Sequence, residues 1–153
     1  MMFSEEDDFW IERAIRLAEE AGRNNEVPVG ALLVLENKII GEGSNRPIAA
    51  CDPSAHAEII ALRSAAKNIG NYRLNHSTLY VTLEPCIMCV GAIVHARVKR
   101  VVFGARDPKS GAVESVFEFG KTDKLNHVVN YEGGLREAEC GKLLSDFFRA
   151  RRP

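Results

Sequence analysis

Two short clusters constrain this chain more than anything else in it: His56-Ala57-Glu58 and Pro85-Cys86-Ile87-Met88-Cys89. Each falls where irregular sequence passes into a helical pattern. Asp52-Pro53-Ser54 precedes a helix predicted over residues 55–67, whose apolar side is Ala57, Ile60, Ala61 and Ala65. Pro85 ends a strand predicted over 79–83 and opens a helix with Cys86, Cys89, Ala92 and Ile93 along one side. A fold that uses both clusters must bring two helix starts to the same edge of a sheet.

The rest of the chain supplies that sheet. Phe9, Trp10, Ala14, Leu17, Ala18 and Ala21 recur at helical spacing over residues 5–24, behind a capping-box pair, Ser4 and Asp7. The apolar run at 29–35 (VGALLVL) predicts a buried strand, Glu36-Asn37 a turn, and Lys38-Ile39-Ile40 a returning strand. Arg100-Val101-Val102-Phe103 predicts a fourth strand and Val128-Val129-Asn130-Tyr131 a fifth. Residues 105–126, poor in pattern, predict a long loop with room for one short helix; such loops in small domains are often functional. Residues 135–149 predict a final amphipathic helix running into Arg149-Ala150-Arg151-Arg152. At 153 residues, with no repeat, linker or low-complexity tract, the whole of 1–153 is expected to form one domain. Alternating strands and helices point to an α/β fold, a three-layer α/β/α sandwich with helices on both faces of one sheet.

The net charge is -1, so the chain is no bulk polycation, and nucleic-acid contact must come from a local patch. From Lys142 to Arg152 there are four basic residues against one acid, Asp146. Arg97, Lys99 and Arg100 form a second basic cluster, expected to be a solvated strand edge. The acidic start lacks a secretory pattern and no apolar run reaches membrane-spanning length, which predicts a soluble cytoplasmic protein with reduced thiols. In that setting a C-x-x-C pair points to metal or redox chemistry rather than a structural disulfide.

Cys86 and Cys89, three apart, present both sulfurs to one side of the first helical turn, where free N–H groups favour thiolates. Two thiolates and the His56 imidazole suit zinc, and three protein ligands leave a fourth position for water, the catalytic arrangement. Two plus charges on zinc and two minus on sulfur sum to zero, so water there is acidified less than beside three neutral histidines. A nearby base is then needed, and Glu58 stands two residues from His56. The upstream H-x-E and the lack of a second C-x-x-C argue against a thioredoxin-like pair or a zinc knuckle. Cys51 and Cys140 are expected to be buried small hydrophobes, and His76, His95 and His127 to have no catalytic role.

H-A-E followed by P-C-x-x-C is the established signature of zinc nucleobase deaminases. With Glu26-Val27-Pro28-Val29-Gly30-Ala31, Asn71-Tyr72-Arg73-Leu74, Leu79 to Cys86, Val102-Phe103-Gly104-Ala105-Arg106-Asp107 and Leu144-Ser145-Asp146-Phe147-Phe148, the chain resembles the bacterial tRNA-specific adenosine deaminase family over nearly its whole length. The resemblance implies a cytidine-deaminase-like fold with a mixed five-stranded sheet and one zinc per subunit. It implies a homodimer that converts adenosine to inosine at the wobble position of a tRNA anticodon stem-loop. It assigns the metal to His56, Cys86 and Cys89 and proton transfer to Glu58. It places Val29 in the base pocket, Asn45 on the flipped base, and Asp107 and Asn126 on neighbouring nucleotides. Asp146, Phe147, Phe148, Arg149 and Arg152 on the last helix would support the RNA, one phenylalanine packing inward and the other meeting RNA or a second subunit. The apolar helix with Gly91, Ala92, Ile93 and Val94 is a candidate for the dimer interface.

Other readings remain at this stage. A small-molecule deaminase of the same fold, acting on guanine, cytosine or cytidine, would share the zinc chemistry. A non-enzymatic zinc-binding module would have no use for Glu58 and would want a fourth protein ligand. Turn roles for Asn45-Arg46-Pro47 and Asp107-Pro108 are compatible with the assigned ones.

Overall fold

The computed structural model describes residues 3–151. Helix α1 (Glu5–Arg23) begins on a reciprocal cap: the Ser4 hydroxyl accepts the Asp7 N–H and the Asp7 carboxylate accepts the Ser4 N–H. Strands β1 (Gly30–Leu35) and β2 (Lys38–Ser44) form a hairpin. Its two turn residues, Glu36 and Asn37, both lie at positive φ (51° and 62°), which matches the twist of a two-residue hairpin.

β2 runs past the three residues its hydrophobicity predicts, through Gly41 and Gly43. Those glycines end an apolar pattern, but helix α3 (Ala57–Ile69) requires them. A Cβ on Gly43 would lie 2.5 Å from the Ala57 carbonyl and 2.7 Å from the Ala61 amide. The start of α3 is thereby seated directly on the sheet.

Strand β3 (Thr78–Leu83), helix α4 (Ile87–His95) and strand β4 (Arg100–Ala105) form a parallel crossover unit. Strand β5 (Asn130–Gly133) adds parallel to β4, and helix α5 (Glu137–Arg151) closes the chain. The sheet order is β2-β1-β3-β4-β5, with β1 antiparallel to both its neighbours, so the sheet is mixed as expected.

Side chains alternate between two layers. Ala31, Leu33, Leu79, Val81, Val101 and Phe103 pack with α3 and α4, whereas Leu32, Val34, Tyr80 and Val102 pack with α1. α5 lies on the α1 side with Cys140 against Ile15 and Ala105, and Cys140 is its one buried residue.

Four local expectations are corrected. The fifth strand is centred two residues later than Val128–Tyr131. Val129 is buried, but Val128 is 71% exposed, so that β-branched pair marks only the edge of the core. Pairing is set where the Phe103 ring needs a residue without a side chain opposite, and that residue is Gly133. A short helix, α2 (Pro47–Ala50), occupies what the sequence predicts as loop. It ends at Cys51 in the left-handed region (φ 49°), which leaves Cys51 exposed rather than buried. Arg100 is no solvated edge residue: its guanidinium pairs with Asp7 and Glu132 and ties α1, β4 and β5 together. No helix among the described residues is long and apolar enough to cross a membrane.

Candidate metal centre and active site

Both clusters sit at helix N-caps. His56 is the N-cap of α3 and Cys86 that of α4, with Cys89 one turn on. β1 and β3 pair side by side, so the two helix starts converge as the sequence requires. The His56 Nδ1 lies 3.6 Å from the Cys86 Sγ and 3.6 Å from the Cys89 Sγ, and all three atoms fall within 4.8 Å of one another. Ordinary zinc–sulfur and zinc–nitrogen bonds at a tetrahedral angle put sulfur and nitrogen about 3.6 Å apart. The donor set therefore fits one zinc ion without rearrangement.

Charge tells the same story. A hydrogen bond from Cys89 holds the Cys86 thiol down to about 4, with His56 adding to the effect against burial. The Cys86 sulfur and burial push Cys89 far the other way. Without a cation only one of the two sulfurs carries negative charge readily, and a divalent cation bound between them would favour both as thiolates. His56 is raised, first by its hydrogen bond to Cys86.

Glu58, in the first turn of α3, is 4% exposed. Burial pushes its carboxyl up to about 7, and the Cys86 charge adds to this against the opposing effect of His56. A carboxyl poised near neutrality beside a metal donor set is chemically equipped to take and return a proton.

Asn45 joins this group through the backbone. Its Oδ1 accepts the Ala57 N–H at 2.8 Å, capping α3 between His56 and Glu58, and its own N–H donates to the Val29 carbonyl. The cap engages Oδ1 and leaves the Asn45 amide nitrogen as a donor. Val29 is buried in the core cluster with Ala57, Val90 and Val113.

The remaining candidates lie on two other surfaces. Asp107 spends its Oδ1 on the Lys109 and Ser110 amides, a turn of its own making. It shares a groove of about 440 Å³ with Leu83, Pro108, Lys109, Leu144 and Phe148. Neither phenylalanine of α5 is buried: Phe147 is half-covered by the Arg151 guanidinium 3.6 Å above its ring, and Phe148 is 46% exposed toward the groove. Asp146 pairs with Lys142 and Arg149, which offsets part of the local positive charge. Arg152 lies outside the described residues.

Asn126 is not at the donor set. It lines a separate apolar groove of about 320 Å³ along α4, with Ile87, Gly91, His95, Phe119 and Leu125. Of the apolar α4 residues, Ile93 and Val94 belong to the core, so only the Gly91 side of that helix is open.

Two further carboxylates escape sequence reasoning. Glu26 is buried and accepts the Ile48 and Ala49 amides, fixing α2 beside Asn45. Glu84 is buried just before Pro85 and accepts amides of Asp107, Val113, Glu114 and Ser115 and the Ser115 hydroxyl. Burial alone would raise Glu84, but these bonds together hold it below its ordinary value. The one signal available for Glu84 was an acid wedged between an apolar strand and the metal motif.

The cytidine and deoxycytidylate deaminase zinc-binding region matches residues 4–105. A tRNA-specific adenosine deaminase of Haemophilus influenzae is 55% identical over 150 residues, covering 97% of this chain and 87% of that protein. A solved structure from work on A-to-I editing by tRNA:A34 deaminases at the wobble position superposes with a TM-score of 0.86 at 43% identity, covering 89% of this chain and 99% of that one. A guanine deaminase from Nitrosomonas europaea shares the fold, with a TM-score of 0.76, 22% identity and coverage of 92% and 83%. With this donor set, this sheet and this likeness along almost the full chain, the protein belongs to the family of tRNA-specific adenosine deaminases, within the zinc-binding deaminases.

Proposed function

We propose that this chain hydrolytically deaminates adenosine to inosine at the wobble position of a tRNA anticodon, as one zinc-dependent domain. The observation that carries the reaction is the buried Glu58 carboxyl beside the His56, Cys86 and Cys89 donor set. The near-full-length identity to tRNA-specific adenosine deaminases favours tRNA over a free base, because the zinc chemistry is common to both.

His56 Nδ1 and the two sulfurs of Cys86 and Cys89 would hold the zinc, which when bound would supply Lewis-acid activation of a water molecule. Glu58 takes a proton from the attacking water and passes it to the ring nitrogen next to the amino-bearing carbon. It then carries the second proton to the departing amine. The water oxygen ends on the ring carbon, the C–N bond breaks, and ammonia leaves. Asn45, with its Oδ1 engaged, offers its amide N–H groups to ring acceptors of the base, and Val29 supplies apolar surface beside it. An anticodon loop suits this chemistry because its bases splay out at low cost.

The Asp107 groove, which Phe148 also lines, is our candidate for flanking nucleotides, with Arg149 and Arg152 as further candidate RNA contacts. Asn126 lines the α4 groove and not the Asp107 groove, which favours a place at a subunit boundary over the contact with a neighbouring nucleotide that the resemblance implies. The α4 groove is the surface we assign to a homodimer, and the cytoplasm is where a tRNA substrate is met. The test offers purified zinc-loaded protein a tRNA with adenosine at the wobble position, alongside free adenosine, cytidine and guanine. Inosine in the tRNA alone is expected; turnover of a free base with the tRNA untouched would overturn the substrate.

A further inference from the structure

Glu84 lies outside the donor set, faces away from solvent at 2% exposure, and has no part in proton transfer as described above. Its carboxylate nevertheless gathers more donors than any other acid described for this chain. Oε1 accepts the Asp107 N–H at 3.0 Å and the Ser115 hydroxyl. Oε2 accepts the amides of Val113, Glu114 and Ser115 at 3.1, 2.8 and 3.0 Å. These partners come from both ends of the 107–115 loop, so one side chain closes the loop upon itself. The loop has no regular secondary structure; apart from Glu84 it is held by the Asp107 turn at one end and by Ala112 and Val113, which are buried in the core. Gly111 sits on the carboxylate, where any Cβ would overlap it.

The same residue is covalently joined to the metal site. From Glu84 the chain passes through Pro85 to Cys86, and the Pro85 carbonyl accepts the Ala112 N–H at 2.9 Å. The loop is thus bonded to both residues that precede the ligand. Its outer side, Asp107 to Ser110, forms one wall of the groove facing Leu144 and Phe148.

We propose that Glu84 is a positioning residue for substrate binding: it folds the 107–115 loop into one wall of the RNA groove and holds that wall in register with Cys86. The inference rests on the tRNA reading above. It predicts that loss of the carboxylate disturbs RNA binding while metal and chemistry survive. A wall that is no longer held in place must be ordered when RNA binds, and that cost appears in KM rather than in kcat.

The test is Glu84→Gln in the zinc-loaded full chain, assayed on an anticodon stem-loop well below the melting temperature. The amide keeps the shape but turns a donor toward backbone N–H groups. KM is expected to rise about tenfold or more, with kcat within about threefold and zinc at one per chain. Hydrogen exchange at the Val113, Glu114 and Ser115 amides is expected to accelerate in step. A residue that only stabilises the fold would lower the melting temperature and leave KM unchanged, and that result overturns the proposal. If Glu84→Gln does not fold, Ser115→Ala removes a single partner and is expected to raise KM about two- to fivefold; an unchanged KM there counts equally against it. Wild-type protein that leaves the stem-loop untouched would instead overturn the function on which this inference depends.

Discussion

Substituting Asp7 by alanine removes the acid that ties α1 to the sheet. Asp7 is 3% exposed and its carboxylate accepts four donors. These are the Ser4 N–H at 3.0 Å, the Tyr80 hydroxyl at 2.7 Å, and two Arg100 nitrogens at 2.7 and 2.8 Å. Breaking a largely buried ion pair by deleting one partner costs about 3–5 kcal/mol, because the other charge is left stranded. Here Arg100 keeps two bonds to Glu132, which places the loss at the lower end. The lost half of the capping box adds about 0.5 kcal/mol. The sum, about 3–4 kcal/mol, corresponds to a melting temperature lowered by roughly 10 °C for a chain of this size. Tyr80→Phe, which leaves Asp7 its other donors, is expected to cost only about 1 kcal/mol. Burial alone would raise the Asp7 carboxyl, but its bonds to Arg100, Ser4 and Tyr80 together hold it well below the usual carboxylate range. A depressed folded pKa gives stability that is whole above the unfolded value and lost as pH falls below it. The gap between wild type and Asp7→Ala should therefore shrink by about 1 kcal/mol between pH 5 and pH 3. Urea unfolding of both proteins at fixed concentration measures that gap, and any loss of zinc in acid is common to the two. A gap under 1 kcal/mol at pH 7, or one that widens in acid, would refute the reasoning.

Three further perturbations probe the site. Glu58→Gln is expected to lower kcat about 10²- to 10⁴-fold with zinc content and melting temperature retained; inosine formation near the wild-type rate would remove Glu58 from proton transfer. Cys86→Ala should lose zinc and activity together, as should chelation of the wild type, whose activity added zinc restores; metal analysis showing full zinc in Cys86→Ala would sink the ligand assignment. Asn45→Ala should cost about 1 kcal/mol as the Ala57 amide loses its cap. Asn45→Asp should recover that stability but not the activity, because it keeps the acceptor and lacks the donor; a fully active Asn45→Asp would place Asn45 in a purely structural role.

The sequence made the layers and the metal site legible because both are written in local signals. Apolar runs mark β1, β3 and β4, the Ser4–Asp7 pair marks the start of α1, and two cysteines three apart mark a donor pair. What stayed hidden depends on partners distant in sequence. Gly41 and Gly43 look like strand breakers until α3 is seen lying on them. Arg100 looks like a solvated base until Asp7, far away along the chain, is found against it. Gly133 falls outside the expected fifth strand until the Phe103 ring is placed over it. The same blindness applied to Phe147 and Phe148, whose depth depends on how closely α5 approaches the sheet rather than on their own hydrophobicity.

Four buried carboxylates show how far sequence position alone falls short of assigning roles. Asp7, Glu26, Glu58 and Glu84 are all 4% exposed or less, and nothing in the composition separates them. Their donors do. Asp7 is met by a guanidinium, a phenol and an amide, Glu26 by two amides opening α2, and Glu84 by four amides and a hydroxyl. Asp7 and Glu84 are stabilised as anions by their donors, and both are held below their ordinary values. Among the described residues Glu58 meets its own amide and the Cys89 sulfur as hydrogen-bond partners, and burial carries it up to about 7. A group that must accept a proton and then surrender it works best when neither form is strongly preferred. The scarcity of donors around Glu58 is therefore the physical feature that favours the proposed proton transfer, and their abundance around the other three is what suits those to holding the chain in place.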